Sequence, residues 1–470
     1  MLKKVFLFGF LLLISNLFAQ HTVKGTMKPV KAEYTWLILY KLNGVNQKFI
    51  TNGNIKEGKF TVEIPKGSPT GMYRLLYDNT NNKFLDFIFN NEDVVVEFHP
   101  DYPSQLVKYD TSDENIAFQN YIDKVSVLQN RLDSLQVEYF KTKDVSHEKK
   151  LSKLYKTDLK VLKTEQASFE TKTEGKLANH FIVANKRFYS DYLIKDTHKY
   201  LQTIKSHYFD YVNFDDAVLK KSSLLIDRVM DFVFYLNTSN DPKTLTKLRK
   251  EGVVTALSKI KNESLKKDVI ESLLYTFAQQ ENIKMVNYIL QNHFNKLPVA
   301  LQDLEFKAMI KDMIKTTIGN KAPEITWQEK GKTKHLYGLK GKKYYLVVFW
   351  SSTCSHCLKE MPLLHKYLED KKDIQVVAVA LENKQSKIGW IDEKYYYENF
   401  IHVLALSSDN DSVYRSKFVS DYGVNATPSF YLMDENKIII SKPYDVKEVK
   451  EVYAKLHKKE AKTEKKVLKK

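Results

Sequence analysis

At 470 residues, with 43% hydrophobic and 13% aromatic residues, the chain is long enough for about three domains of ~150 residues each. Its formal net charge is +17, which on charge alone suggests a polyanionic partner. The export argued below sets nucleic acid aside and leaves a Lys-rich solvated surface, with weak attraction to anionic membrane surfaces as the lesser option.

Residues 1–19 read as a signal peptide. Lys3 and Lys4 form the charged start, and residues 5–14 form an apolar run. That run is too short to cross a bilayer, which takes ~20 residues. Leu17-Phe18-Ala19 precedes Gln20 as the cleavage site. Export puts the chain in the periplasm or cell envelope, where disulfide chemistry has meaning.

Residues 20–105 read as an all-β, sandwich-like domain. Runs at 35–42, 59–64, 72–77, 84–89 and 94–98 are rich in β-branched and aromatic residues. Asn43-Gly44, Asn52-Gly53-Asn54, residues 65–69 and residues 78–82 read as the turns between them. His99 and Asp101 read as loop polars rather than ligands.

Residues 106–317 read as an α-helical middle domain. Thr111-Ser112-Asp113-Glu114 fits a capping box. Phe118, Tyr121, Val125, Leu128, Leu132, Leu135 and Tyr139 then recur at alternating spacings of three and four, an a/d seam. After a polar break at 141–147, Leu151, Tyr155, Leu159, Leu162 and Phe169 continue as a second helix, giving a helical hairpin. Further helices are expected at 176–190, 216–235, 242–260, 264–279, 282–294 and 298–318.

Gly319 and Ala322-Pro323 break the pattern and open the last domain, 318–458. Short strands at 325–327 and 335–337 flank Gly331. A central strand at 345–350 leads to a polar turn, and an apolar run at 374–381 fits a buried parallel strand. Residues 382–399 read as an insertion packed down by Trp390 and Tyr395-Tyr396-Tyr397. A strand at 403–406, a helix at 412–422, a hairpin at 429–433 and 438–441, and a closing helix at 445–457 complete it. The basic tail, 459–470, is expected to be disordered.

The polar turn delivers Cys354 to a helix start, where unpaired N–H groups and the helix dipole stabilise a thiolate. Cys357 follows one turn later, placed to attack a mixed disulfide formed on Cys354. These are the only two cysteines, so no third thiol competes. A structural zinc site needs about four ligands, and only Cys354, His356 and Cys357 stand together. Haem attachment needs His after the second Cys, where this chain has Leu358. A purely structural disulfide gains little from so short a loop. The reading is therefore a redox-active Cys354–Cys357 pair with no metal and no other cofactor.

Phe349-Trp350, Cys354-x-x-Cys357 and Pro362 together resemble the thioredoxin superfamily. Cys357-x-x-Glu360-x-Pro362, with residues 422–430 around Thr427-Pro428, resembles its TlpA/ResA branch of extracytoplasmic thiol–disulfide oxidoreductases. The β domain resembles one that often precedes TlpA-like domains. The resemblance covers the last third of the chain and implies an α/β thioredoxin fold there. It implies that Pro428 is cis and faces the dithiol, that the Thr427 backbone meets an incoming peptide, and that Trp350 supports the dithiol from beneath. It further implies a reductase fed by a membrane thiol reductant, with apocytochrome c or oxidised envelope proteins as substrates.

Two departures stand out. Val348 occupies the place of the buried Asp that accepts a proton in cytoplasmic thioredoxins, which leaves Glu360 as the candidate acceptor for Cys357. Thr353 stands where the family usually has Trp. A protonated His356 would favour the Cys354 thiolate and make the pair a stronger oxidant, so an oxidase or isomerase stays open beside the reductase. A binding or scaffold protein whose thioredoxin-like domain mainly docks partners is the alternative of another class. Cys354→Ser separates them, because only an oxidoreductase loses its role.

Overall fold

The structure, a computed structural model, describes residues 21–407 and 416–467, the last nine of these by backbone alone. The segment read as a signal peptide lies outside the described residues, as do residues 412–415 of the helix expected at 412–422. The chain divides into two compact units between Ser272 and Leu273.

The first unit opens with eight strands: β1 (His21–Met27), β2 (Trp36–Asn43), β3 (Asn46–Asn54), β4 (Lys59–Ile64), β5 (Gly71–Asp78), β6 (Lys83–Phe89), β7 (Val94–Phe98) and β8 (Val107–Tyr109). They form two sheets, β4-β1-β7-β8 and β3-β2-β5-β6. Alternate residues turn inward. Val23, Phe60, Val62 and Phe98 of the first sheet and Leu37, Leu39, Tyr73 and Phe87 of the second share one core. Asn52-Gly53-Asn54 is not the turn its composition suggests. It lies inside edge strand β3, paired with Ile38, Leu37 and Trp36. Gly53 serves a close approach instead, since a Cβ there would come within 2.7 Å of Val62 Cγ1.

Helices follow: α1 (Asp113–Lys141) and α2 (Val145–Lys172), then α3 (Leu177–Ala184), α4 (Thr197–Ser206), α5 (Leu224–Asp231), α6 (Pro242–Ser258) and α7 (Glu263–Gln279). The first two form an antiparallel hairpin, with Tyr121 Oη donating to Gln166 Oε1 at 2.9 Å. Tyr121, Val125, Leu132 and Leu135 of the seam are buried. The expected capping box does not form. Ser112 is the N-cap of α1, and the Glu114 carboxylate reaches away to accept from Leu177 N and Ala178 N, at 3.1 and 2.7 Å, capping α3. α3 stops at Ala184, short of the expected 190, where Asn185 Nδ2 takes the Phe181 carbonyl. α4 escapes sequence reading because none of its residues is buried, so it leaves no apolar stripe.

The second unit holds the end of α7, α8 (Ile283–Asn292) and α9 (Leu304–Ile314). Local polar bonds tie this stretch to the later chain, with Glu281 paired to Lys442 at 2.9 Å and Lys315 Nζ donating to Ser420 O at 2.7 Å. A hairpin of β9 (Thr326–Glu329) and β10 (Lys332–His335) precedes β11 (Tyr344–Trp350) and α10 (Ser355–Leu368). Then come β12 (Ile374–Glu382), α11 (Lys387–Lys394), β13 (Ile401–Leu406), α12 (Lys417–Tyr422), β14 (Ser429–Asp434), β15 (Ile439–Ser441) and α13 (Val446–Val467). The five-stranded sheet runs β13-β12-β11-β14-β15. β11 is parallel to β12 and antiparallel to β14.

All seven residues of β11 are buried, because helices and loops cover both faces of the sheet. Leu346, Val348 and Trp350 pack with Met361 and Leu364 of α10, while Val347 and Phe349 pack with Val419 and Tyr422. The closing helix continues to Val467, past the expected end at 457. The segment expected to be disordered is rich in Lys, carries two Glu and holds no Gly or Pro, a composition that does not oppose a helix. The insertion is held by Trp390 and Tyr397, both buried, whereas Tyr395 and Tyr396 are 68% and 70% exposed.

Candidate active site

Strand register builds the site. Trp350 ends β11 opposite Ala380 of β12, and Phe349 pairs with Ser429 at the start of β14. Three chain segments therefore converge: the turn after β11, the end of β12, and the Thr427-Pro428 bend before β14. Within the turn, Cys354 N bonds Ser351 O at 3.2 Å, and the Ser351 and Thr353 hydroxyls lie 2.9 Å apart.

Cys354 is the N-cap of α10, and its Sγ accepts from Cys357 N at 3.3 Å. It is half-buried, whereas Cys357 is wholly buried. Both are free thiols. Partial burial opposes ionisation of Cys354. The Cys357 side chain, the Thr427 side chain and the N–H groups of Cys357 and His356 outweigh it, holding the thiol below its ordinary range. Burial, with the neighbouring Cys354 sulfur, pushes Cys357 up to about 12. One thiol is thus prepared to ionise and the other to stay protonated, although they are three residues apart.

Thr427 O accepts from the Cys354 thiol at 3.3 Å. The Thr427–Pro428 peptide is cis. Trp350 is fully buried and joins Cys357 in one apolar cluster, its ring edge-on to Tyr397 at 6.0 Å. Val348 lies in that same cluster, so an apolar side chain stands where a proton-accepting Asp was the family expectation. The His356 ring is exposed, and it is the main-chain N–H of His356 that reaches the Cys354 sulfur. Glu360 Oε2 accepts from Val446 N at 2.8 Å, at the start of α13. The structure therefore gathers Cys354, Cys357, Trp350, Thr427 and Pro428. It turns the side chains of His356 and Glu360 to solvent and to α13.

Sequence reasoning missed Glu382. It is fully buried at the end of β12, and its carboxylate accepts from Ser352 N at 2.6 Å and from Ser351 Oγ at 3.4 Å. It thus braces the turn that carries Cys354. An acid closing the apolar run from Ile374 is the signal that marks it. Among the described residues, no group of three or more His, Cys, Asp or Glu side chains is placed to hold a metal ion.

Residues 317–456 match the Redoxin family model. The chain is 28% identical over 136 residues to the thiol-disulfide oxidoreductase ResA of Bacillus thuringiensis (strain Al Hakam), spanning 29% of this chain and 74% of that one. It is 26% identical over 123 residues to the thioredoxin-like protein YneN of Bacillus subtilis (strain 168), spanning 26% of this chain and 68% of that one. A domain of a possible thiol-disulfide isomerase from Cytophaga hutchinsonii is similar over 31% of this chain and 96% of its own, at 30% identity and a TM-score of 0.26. With its Redoxin domain and its ResA relatives, the C-terminal region of this chain belongs to the TlpA/ResA-like thioredoxins and is a thiol–disulfide oxidoreductase.

Proposed function

We propose that the chain is an exported reductase of protein disulfides in the cell envelope, with Cys354 as nucleophile and Cys357 as resolving thiol. The observation that carries this reading is the opposite pull on the two thiols, Cys354 downward and Cys357 up to about 12.

The Cys354 thiolate attacks one sulfur of a substrate disulfide. The S–S bond breaks, the other substrate sulfur leaves as a thiolate, and a mixed disulfide joins Cys354 to substrate. An ionised Cys354 no longer has a proton for the Thr427 carbonyl, so that carbonyl is open to a peptide N–H of the substrate, strand fashion. Pro428 offers no N–H of its own to compete. Once Cys354 is bonded, its hydrogen bond and its charge no longer raise Cys357, and the Ser351 N–H favours the Cys357 thiolate. Cys357 then attacks Cys354 Sγ and releases the second substrate thiolate. The substrate gains two electrons, and the protein is left with a Cys354–Cys357 disulfide. A membrane thiol reductant returns the pair to the dithiol. Export rests on the signal-like residues 1–19, and the direction of electron flow rests on the likeness to ResA.

The reduction potential of the Cys354/Cys357 pair tests the direction. Equilibration in graded thiol/disulfide buffers with alkylation trapping should return a value near thioredoxin's, about −270 mV. A value near −120 mV would mark an oxidase or isomerase, and a pair that never exchanges would leave only a binding protein.

A further inference from the structure

We infer that the outer face of α2 is a docking surface for an anionic phospholipid membrane. The helix sorts its charges by direction. Each of its carboxylates is tied inward or sideways: Glu148 to Lys195 at 2.6 Å, Asp158 to Arg131 at 2.7 Å, Glu165 to Lys124 at 3.7 Å and Glu170 to Lys186 at 2.7 Å. Lys149, Lys150, Lys153, Lys156 and Lys160 are exposed, and none has an ion-pair partner among the described residues. Four of these, all but Lys150, are spaced four, three and four apart, so they share one face of the helix. That row extends about 17 Å along the axis at ~1.5 Å per residue. Leu151, Tyr155, Leu159 and Leu162 are buried on the other side. The positive face is therefore held rigidly outward, with its local countercharges already engaged elsewhere.

The shape and chemistry of this row fit lipid phosphates better than nucleic acid. It carries lysines only, point charges without the planar fork that reads bases. The aromatic residue within it, Tyr155, is buried, so no ring is offered for stacking on a base. The apolar face of α2 is spent in the hairpin, so the helix would rest on the headgroups and not insert. Leu154 and Val161, 37% and 40% exposed beside the row, add only shallow aliphatic contact. Attraction of this kind is screened within a Debye length of about 10 Å at 0.1 M salt. The inference rests on the charges of α2 and not on the thiol chemistry, so either reading can fail alone.

The test is co-sedimentation of the full chain with phosphatidylcholine vesicles, with and without phosphatidylglycerol, across a salt series. The phosphatidylcholine vesicles report any apolar binding by the rest of the chain. The expected result is binding that needs phosphatidylglycerol and fades with salt. The triple variant Lys153→Gln, Lys156→Gln, Lys160→Gln should lose about 100-fold in affinity, at roughly a factor of five for each lysine near the surface. A control with the same change in net charge, Lys330→Gln, Lys332→Gln, Lys340→Gln, should bind as the parent does. Equal loss in the control would overturn the inference by showing that net charge alone acts. Absence of vesicle binding, or salt-sensitive binding to DNA with none to vesicles, would overturn it as well. Unfolding midpoints of both variants within a degree of the parent would show that the fold is kept.

Discussion

At the scale of single residues, the candidate active site is a contrast between two chemically identical side chains. Cys354 ends a turn where N–H groups point at it, and Cys357 is sealed among Trp350, Met361 and Val348. Alkylation by iodoacetamide should follow. In the reduced protein Cys354 should react at a pH below that of a free cysteine, and Cys357 should stay silent until the chain unfolds or the pH nears 12. Mass mapping of the two sites against pH checks this, and equal reactivity would contradict it. Glu382 offers a second test. Glu382→Gln keeps an acceptor for Ser352 N but removes its charge, while Glu382→Ala leaves that half-buried N–H without this acceptor. The alanine variant should cost about 1–3 kcal/mol and the glutamine variant less, read as urea midpoints, with Cys354 reactivity falling in step as the turn loosens.

At the scale of elements, side chains that look catalytic or local by sequence turn out to join helices and strands. Glu360 accepts from the first N–H of α13, a position where a carboxylate meets both an unpaired donor and the positive end of the helix dipole. Glu360→Ala should therefore lower stability by about 1 kcal/mol and leave the titration of Cys357 unchanged. A shift in that titration would restore Glu360 as its proton acceptor. β2 carries the opposite case, a buried cation with no carboxylate partner among the described residues. Lys41 is 6% exposed, donates to Met72 O at 3.1 Å, and its Nζ lies where a Cβ on Gly71 would come within 2.6 Å. Burial, with Lys221 nearby, lowers it to about 8. The folded state thus bears the cost of the charge below pH 8, and that cost is gone above the ordinary lysine range. Lys41→Met should stabilise the β sandwich at neutral pH by on the order of 3 kcal/mol, with the gain shrinking as pH rises through about 8 and nearly gone at the ordinary lysine value of 10.5. Denaturant melts at both pH values would show it, and a loss of stability at neutral pH would contradict it.

At the scale of the whole molecule, alkaline stability is coupled to redox state. Cys357 is raised to about 12, as are Tyr73 and Tyr431 by burial. A group raised in the folded state contributes its full stabilisation below its unfolded value and loses it as pH climbs through the folded one. Unfolding midpoints should therefore hold to about pH 9 and fall steeply toward 12. Oxidation to the Cys354–Cys357 disulfide removes the thiol, so the oxidised chain should fall less across that window than the reduced one. Parallel curves for the two forms would mean that Cys357 does not contribute.

The sequence by itself determined where the candidate chemistry lies. Two cysteines three apart after an apolar strand, with Thr427-Pro428 downstream, name a dithiol and its likeness, because those features are contiguous and their spacing is covalent. It also determined most strands of the sandwich and the α1–α2 hairpin, whose periodicity records which side is dry. Only the tertiary structure decided what depends on neighbours distant in the chain. Glu382 lies 28 residues from Cys354 in sequence and reaches its turn through the β11–β12 register. Glu114 caps α3 and not its own helix. Edge strand β3 and helix α4 bury too little to leave a pattern. His356 and Glu360 have the right chemistry at the right spacing. Where their side chains point was settled by the packing of α10 against its surroundings, which no local spacing encodes.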